Sequence, residues 1–249
     1  MSKKFYIFLI IMLVASLVTS ISYIIINYKK DNEQKEIFEE LEEIRIENKE
    51  SDEQEKGDID LQKLYELNND FIGWLKIENT NINYPIMQTD SNRKDYYLKR
   101  NFYKEYSQLG TPYIAEFCDV LKSDNLIIYG HHISNYQMFG ELEKYKNKKF
   151  YDNHKIIEFN TIYEKANYEI IAVFKTVAYT GFNYYKFYNA NTREEFDTFI
   201  KKCKELSFYD TEKVAKYGDK LITLSTCEYS NKNGRLVVVA KKITNVLEE

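Results

Sequence analysis

Three residues in the chain have side chains that together can perform nucleophilic acyl transfer. Cys227 ends the segment L-I-T-L-S-T-C, Arg235 opens R-L-V-V-V-A, and His131 lies in Y-G-H-H after the apolar run N-L-I-I. A thiolate is a strong nucleophile, and an imidazole can take and return a thiol proton. A guanidinium can stabilise a thiolate or an oxyanion. These residue types predict attack of Cys227 on a carbonyl carbon.

Each signal is weak alone, because a lone cysteine is usually a small buried hydrophobe. A lone arginine or histidine at a strand end often has no catalytic role. The position of Cys227 favours a catalytic role for this cysteine. Side chains alternate across a strand, so Ile222 and Leu224 share one face, while Thr223, Ser225 and Cys227 share the other. Cys227 therefore lies on the polar side at the end of its strand, where it can reach a substrate.

The spacing between Cys227 and Arg235 predicts that the two residues face each other. Seven residues, E-Y-S-N-K-N-G, join their strands. If these residues form a hairpin loop, both side chains point the same way. The other two cysteines, Cys118 and Cys203, are interpreted as structural, and His154 lies in a polar loop. Because three is an odd number and no C-x-x-C motif or His/Cys cluster occurs, we predict no disulfide framework, metal site or cofactor.

The elements that must position these residues are mostly strands. Eight apolar or β-branched runs are separated by Asn, Asp and Gly. Since a closed sheet has no exposed edges, eight strands favour a closed barrel. Residues 192–207 instead have helical periodicity, with Thr192 and Glu195 as a capping box. The runs are F-I-G-W-L-K-I, I-N-Y-P-I-M, P-Y-I-A-E-F, N-L-I-I-Y-G, K-I-I-E-F, Y-E-I-I-A-V-F-K-T-V, K-L-I-T-L-S-T-C and R-L-V-V-V-A-K-K-I.

The N-terminal part predicts a membrane anchor. Residues 5–26 form 22 residues without a charge, and at about 1.5 Å per residue they can span a hydrocarbon core of roughly 30 Å. A cleaved signal peptide is the less favoured alternative, because the apolar run continues beyond the weak site at 18–20. We predict an anchor over 1–30, a charged linker over 31–57 and a catalytic domain over 58–249.

Charge is distributed unevenly along the chain. Residues 31–60 contain 14 Asp or Glu and 4 Lys or Arg, a net charge of -10, so the remainder carries about +6 of the total of -4. Lys and Glu alternate and form no basic stripe, which argues against nucleic-acid binding. Residues 58–69 place apolar side chains near helical spacing, with Asp58 or Asp60 as a cap. A short helix that packs on the domain is expected there.

Together these motifs resemble those of a sortase. T-L-S-T-C followed eight residues later by Arg is similar to the sortase nucleophile strand and its arginine, and Y-G-H-H is similar to the histidine motif, with His131 at the catalytic position. F-I-G-W-L-K-I-E-N-T-N-I-N-Y-P-I-M-Q, Y-Y-L-K-R-N-F and G-T-P-Y-I resemble early segments of class B members. The helices at 58–69 and 192–207 also match class B. The resemblance covers roughly 58–243.

The resemblance implies a mainly β, closed eight-stranded barrel with peripheral helices, preceded by a transmembrane helix. It implies an enzyme that cuts the sorting signal of a secreted protein after Thr. The enzyme would hold the product as a thioester on Cys227 and pass it to a peptidoglycan-precursor amine. An Asn-Pro-x-Thr-like signal is expected. Leu98 and Ser225 would border the signal, and the Glu228 N–H would join Arg235 at the oxyanion. Apart from the resemblance, a four-residue N-terminal tail followed by a long folded domain favours a single-pass anchor with the domain outside. The alternative is a cytoplasmic domain tethered the other way, because lysines lie on both sides of the apolar run.

Two alternatives remain at this point. A cell-wall cysteine peptidase of the papain type places its cysteine at a helix N-terminus, usually before its histidine, whereas here His131 precedes Cys227 and both follow strands. A membrane-tethered adhesion or scaffold domain without catalysis predicts that Cys227→Ala changes nothing. The motifs do not distinguish the exact signal, the acceptor amine, or single-protein anchoring from pilus assembly.

Overall fold

Eight strands close into one barrel, as the sequence predicts. The structure is a computed structural model that describes residues 3–50 and 61–243. The barrel strands are β1 (Phe71–Lys76), β2 (Asn83–Met87), β3 (Tyr113–Ile114), β4 (Asn125–Tyr129), β7 (Ile156–Thr161), β8 (Lys165–Val177), β9 (Leu221–Cys227) and β10 (Gly234–Lys242). Around the barrel the strand order is β1-β2-β3-β4-β9-β10-β8-β7, and β7 pairs with β1 to close it.

Most neighbouring strands are antiparallel, but two pairs are parallel. β2 pairs with β3 and β4 pairs with β9 in parallel. Two short strands, β5 (His132–Ile133) and β6 (Gln137–Met138), form a separate sheet that the sequence does not predict. The core is continuous and takes buried side chains from every barrel strand, among them Leu75, Ile86, Ile114, Ile128, Phe159, Ile171, Leu224 and Val238.

The helices are α1 (Lys3–Glu50), α2 (Gln62–Leu67), α3 (Lys148–Asn153) and α4 (Arg193–Leu206). α4 is the helix that the sequence predicts over 192–207, and Thr192 Oγ1 accepts a hydrogen bond from the Glu195 N–H at its start. Its buried face packs on β8 and on the β8–β9 connection, where Phe199 stacks on Phe187 with ring centroids 3.9 Å apart. This face fixes the connection that follows β8.

The long helix α1 joins the apolar N-terminal segment to the barrel. It contains a candidate membrane span near the N-terminus, and none of that apolar window is buried in the structure. The helix continues through residues 31–50 of the predicted linker, where Phe38 and Leu41 are buried against the domain. α2 covers part of the helix predicted at 58–69. The predicted caps Asp58 and Asp60 lie outside the described residues.

Candidate active site

Strand register brings the three predicted catalytic residues to one end of three adjacent strands. Cys227 and Arg235 are direct partners in the antiparallel pair β9–β10. Tyr129 is level with Ser225 in the parallel pair β4–β9. Beyond β4, Gly130 donates its N–H to Ser225 O at 3.2 Å, so the chain stays beside β9. His131 therefore follows next to Cys227.

Gly130 allows the close packing that turns the chain at His131. A Cβ on Gly130 would lie 2.6 Å from the ring of Phe139, which is shorter than van der Waals contact. The Phe139 N–H donates to the His131 carbonyl at 2.9 Å, and Thr226 Oγ1 donates to Gly130 O at 2.8 Å. These bonds hold the backbone on both sides of the histidine, so its ring can be oriented without a long flexible loop.

The His131 ring is held by a backbone carbonyl. Nε2 lies 2.7 Å from the carbonyl oxygen of Leu98, in the 3-10 turn Tyr96–Lys99. A carbonyl oxygen only accepts hydrogen bonds, so Nε2 carries the proton. Nδ1 is then the nitrogen that can accept a further proton. Burial lowers the pKa of His131, the charge of Lys99 lowers it further, and the Leu98 carbonyl opposes the shift. Near neutral pH the imidazole is therefore mainly neutral.

Cys227 is half-buried, which distinguishes it from the other two cysteines. Within the described part of the chain, its sulfur makes no hydrogen bond. Cys118 and Cys203 are buried in the core, and burial raises the pKa of Cys118 to about 11 and raises that of Cys203 strongly. Because the thiolate is the reactive form, such buried thiols are inert. Cys227 is the cysteine that a substrate can reach.

The guanidinium of Arg235 is positioned without being neutralised. Its Nη1 donates to the carbonyl of Gly234 at 2.9 Å. Among the described residues, no carboxylate forms an ion pair with it. An arginine has five N–H donors, so this one bond leaves donors for an anionic oxygen beside Cys227. The guanidinium therefore keeps donors of the kind that the predicted oxyanion role requires.

The structure corrects the expectation for the Glu228 amide. The Glu228 N–H donates to Gly234 O at 2.9 Å and closes the β9–β10 hairpin, so it is not directed at an oxyanion. The Glu228 carboxylate is buried. It accepts from Lys146 at 2.9 Å and from Ser230 Oγ at 2.6 Å. Burial acts to raise the pKa of Glu228, but these hydrogen bonds outweigh it and lower the pKa to about 2. This carboxylate supports the hairpin.

Ser225 does not open onto the surface, although it shares the face of Cys227. Its Oγ lies 2.5 Å from the hydroxyl of Tyr184, and the side chains of both residues are buried. Burial raises the pKa of Tyr184 to about 12, and both Cys227 and Arg235 are close enough to influence it. Tyr184 is a site residue that sequence reasoning missed, because nothing in its local sequence separates it from 22 other tyrosines.

The two neighbouring histidines have different surroundings. His132 Nε2 lies 3.7 Å from Glu143 Oε2, and its ring meets that of Tyr229 edge-on with centroids 5.1 Å apart. His132 therefore belongs to the β5–β6 side of the site. His131 alone of the two is held by Leu98. The two rings therefore have different partners, and His131 remains the predicted acid and base.

A buried carboxylate fixes the loop that carries Leu98. Asp70 accepts two hydrogen bonds from Arg93, at 2.8 and 2.9 Å, and one from the Tyr97 hydroxyl at 2.9 Å. Lys104 Nζ lies 3.3 Å away. Burial acts to raise the pKa of Asp70, but these partners outweigh it and hold the pKa below its ordinary value. The cluster ties the β2–β3 connection to the start of β1.

Comparison with known proteins shows the family of this chain. The sortase domain family model matches residues 75–243. Sortase B of Staphylococcus aureus (strain NCTC 8325 / PS 47) is 32% identical over 245 residues, which cover 97% of this chain and 98% of the relative. The chain belongs to the sortase family. This sortase is a class B member and an enzyme of the cysteine transpeptidase type, because its curated relatives are sortases B.

Further relatives match most of the chain. Sortase B of Listeria monocytogenes serovar 1/2a (strain ATCC BAA-679 / EGD-e) is 35% identical over 192 residues, 74% of each chain. The structure of a Staphylococcus aureus sortase B-substrate complex matches this sortase with a TM-score of 0.78, 30% identity, and coverage of 87% of this chain and 99% of the other. Sortase B from B. anthracis in complex with AAEK1 matches with a TM-score of 0.74, 30% identity and the same coverage.

Proposed function

We propose that this sortase cleaves a C-terminal sorting signal of secreted proteins after Thr and transfers the acyl product to an amine of a peptidoglycan precursor. One observation carries the proposal: Cys227 and Arg235 are register partners, and β4 delivers His131 to the same end of the barrel. Nucleophile, base and oxyanion donor then act at one carbonyl group. The three residues are the proposed catalytic residues.

The acylation half uses the neutral imidazole. Nδ1 of His131 accepts the proton of the Cys227 thiol, and the sulfur attacks the carbonyl carbon of the signal threonine. The carbonyl oxygen becomes an oxyanion, to which Arg235 donates. The C–N bond then breaks, and the imidazolium gives its proton to the leaving amine. The product is a thioester on Cys227 and a free C-terminal peptide.

The transfer half repeats these steps in reverse order. The incoming amine attacks the thioester carbon and gives a proton to Nδ1 of His131, while Arg235 again stabilises the oxyanion. The C–S bond breaks, and the thiolate takes the proton back from the imidazolium. An amide bond joins the secreted protein to the peptidoglycan precursor, and the enzyme returns to its starting state.

The signal is proposed to be Asn-Pro-x-Thr-like, as the class resemblance implies. The Staphylococcus aureus relative is known in a sortase B-substrate complex, which supports a groove of the same kind in this sortase. Leu98 is proposed to border the signal. Ser225 is proposed to act on the groove through Tyr184, since its own hydroxyl is buried.

The enzyme is proposed to be anchored through residues 5–26, with the barrel outside the cell. The long apolar helix α1 and the family membership support this location. Introducing one cysteine at exposed Lys35, in a chain without other cysteines, tests the orientation with an impermeant maleimide on intact protoplasts. Labelling before lysis is expected. Labelling only after lysis places the barrel inside the cell and removes the proposed acceptor.

The reaction is tested with the full chain in detergent and a library of sorting-signal peptides. Mass spectrometry is expected to detect the cleaved peptide and a thioester on the wild-type chain. Cys227→Ala is expected to give neither, whereas folded Cys203→Ala retains both. Arg235→Lys is expected to lower kcat by about 10²–10³-fold, because a flexible point charge does not reproduce the guanidinium fork.

Two outcomes would replace the proposal with its alternatives. If the chain hydrolyses the peptides but never joins an added amine to the thioester, it is a cysteine peptidase. If Cys227→Ala cleaves as well as the wild-type chain, the mechanism is wrong. A chain that forms no thioester with any peptide fits a scaffold domain. Glycyl and diaminopimelyl amines, added in parallel, determine the acceptor.

A further inference from the structure

A polar pocket lies where the membrane helix meets the barrel. It has a volume of about 490 Å³, and its walls come from α1 and from the β2–β3 connection. Four carboxylates and one ammonium group line it. The residues used below are Lys30, Glu33, Gln34 and Glu36 of α1, and Glu105 and Tyr106 of the connection. The active site described above uses none of them.

Gln34 shows that this pocket is more than an acidic surface. Its side chain is buried, with 2% exposed, and it lies in the pocket wall. Among the described residues, neither its amide nitrogen nor its amide oxygen has a hydrogen-bond partner. Buried amides in folded proteins nearly always have partners, because an unpaired polar group in an apolar environment is costly. The group offers one donor side and one acceptor side to a ligand.

The helix sets the height of the pocket above the bilayer. α1 is continuous from the apolar run to the docked segment, so each residue adds about 1.5 Å. Lys30 is four residues past the end of the run, or about 6 Å. The polar layer on each side of a bilayer is roughly 5–8 Å thick. Lys30 therefore lies at headgroup level, whereas Glu33 and Glu36 lie further out, about 10 and 15 Å from the end of the run.

The adjoining part of the barrel has the side chains expected at a membrane interface. Tyr106 is 56% exposed, and the Lys30 ammonium lies 6.0 Å from the centroid of its ring. Tyrosine is enriched at membrane–water interfaces, where its ring and hydroxyl meet different environments. Lys30 and Tyr106 therefore place one edge of the pocket near the level at which lipid phosphates lie.

The order of charges along α1 matches one kind of headgroup. In a phospholipid that carries a primary amine, the phosphate is next to the membrane and the ammonium is further out. Lys30 is on the membrane side of the pocket. Glu33 and Glu36 follow, with Glu105 facing them from the connection. Along α1, Gln34 lies between Lys30 and Glu36. Its amide can donate to a phosphate oxygen and accept from an ammonium.

We propose that this pocket binds the headgroup of an aminophospholipid, with its phosphate at Lys30 and its ammonium at Glu33, Glu36 and Gln34. An anionic headgroup without an amine would bring no cation to the carboxylates and is disfavoured. A bound headgroup would hold the barrel at a fixed height and tilt above the bilayer. The proposal rests on the proposed membrane anchor, because lipid must reach the pocket along α1.

The test uses the full chain in nanodiscs of equal parts phosphatidylethanolamine and phosphatidylglycerol. Native mass spectrometry of the released protein is expected to find one retained phosphatidylethanolamine, in about tenfold excess over phosphatidylglycerol. Gln34→Leu is expected to reduce this retention about tenfold, as expected for lost hydrogen bonds to charged groups. Glu36→Gln should reduce it several-fold. Glu39→Gln removes the same charge from an exposed position outside the pocket and is expected to retain the lipid.

Phosphatidylcholine provides a second comparison, because its quaternary nitrogen has no proton to donate. In nanodiscs of phosphatidylcholine and phosphatidylglycerol, we expect neither lipid to be retained in preference to the other. Equal retention of all three lipids, or no difference between Glu36→Gln and Glu39→Gln, would overturn the proposal. If Gln34→Leu does not fold, the Glu36→Gln comparison decides. A chain that fails to enter nanodiscs refutes the anchor itself, which is a distinct result from a chain that enters and retains no lipid.

Discussion

The Nε2 atom of His131 lies 2.7 Å from the main-chain oxygen of Leu98, so a backbone group fixes the tautomer of the proposed catalytic base. The proton is on Nε2, and proton transfer with Cys227 uses Nδ1. The contact also joins the site to the β2–β3 connection. Through Asp70 and Arg93, that connection is tied to the first barrel strand.

The first prediction concerns Leu98. Leu98→Ala keeps the carbonyl, so the Nε2–H tautomer of His131 is expected to persist, while loss of the side chain raises KM for a sorting-signal peptide. ¹⁵N NMR of labelled histidine gives the tautomer, and steady-state kinetics give kcat and KM. If the neutral ring of the wild-type chain is instead the Nδ1–H tautomer, the assignment is contradicted.

The second prediction concerns pH. Burial lowers the pKa of His131, so its NMR titration midpoint is expected below the ordinary value of about 6.5. The unfolded chain then binds more protons than the folded chain between the folded pKa and about 6.5. This residue's contribution to stability is thus fully present above that window and is lost as the pH falls through it. His131→Gln should flatten the pH dependence of the free energy of unfolding there. An unchanged slope contradicts the assignment.

The third prediction compares the two adjacent histidines. His131→Ala is expected to remove nearly all turnover, because it removes the acid and base. His132→Ala is expected to remain active, since His132 contacts Glu143 and Tyr229 instead. Initial rates of peptide cleavage, with circular dichroism to verify folding, measure both. If His132→Ala is inactive while His131→Ala turns over normally, the roles assigned to the two histidines must be exchanged.

The fourth prediction concerns the buried hydroxyl pair of Ser225 and Tyr184. Either Ser225→Ala or Tyr184→Phe leaves one hydroxyl without its partner, so each is expected to lower the free energy of unfolding by about 1–3 kcal/mol. The double variant should cost less than the sum of the two, because no orphaned hydroxyl remains. Denaturant unfolding measures this cycle. We also expect Ser225→Ala to lower kcat/KM without abolishing cleavage; strict additivity would mean that the pair is not coupled.

The fifth prediction concerns the cluster that supports Leu98. Asp70→Asn loses the paired hydrogen bonds with Arg93 and is expected to reduce stability by about 1–3 kcal/mol at neutral pH. Because the pKa of Asp70 is depressed, this contribution is present above about pH 3.9 and is lost as the pH falls through the folded pKa.

Asp90→Asn is the matched control for Asp70→Asn. Asp90 contacts the same arginine at 3.6 Å, but 57% of its side chain is exposed. Exposed ion pairs contribute little, so this variant is expected to change stability by less than about 0.5 kcal/mol. Equal effects of the two substitutions in thermal or urea unfolding would mean that burial of the Asp70 cluster does not matter.

Local patterns in the sequence predict much of the fold. Strand-like runs predict all eight barrel strands. The reason is that a buried strand needs alternating or continuous apolar side chains, which consecutive residues of the sequence show directly. The capping box at Thr192 and Glu195 likewise anticipates the start of α4. The short strands β5 and β6 are missed, because two residues are too few to have a detectable period.

The residue types available for chemistry, and the strands that end with them, can be identified from consecutive residues alone. Which atoms meet depends on how distant segments pack. Gly130 and Thr226 are 96 residues apart, and only the parallel pairing of β4 with β9 makes them neighbours. The Leu98 carbonyl and the Glu228 N–H have no signature in the sequence, because every residue except proline carries both groups. Their partners depend on loop conformation and hairpin register, which long-range packing fixes.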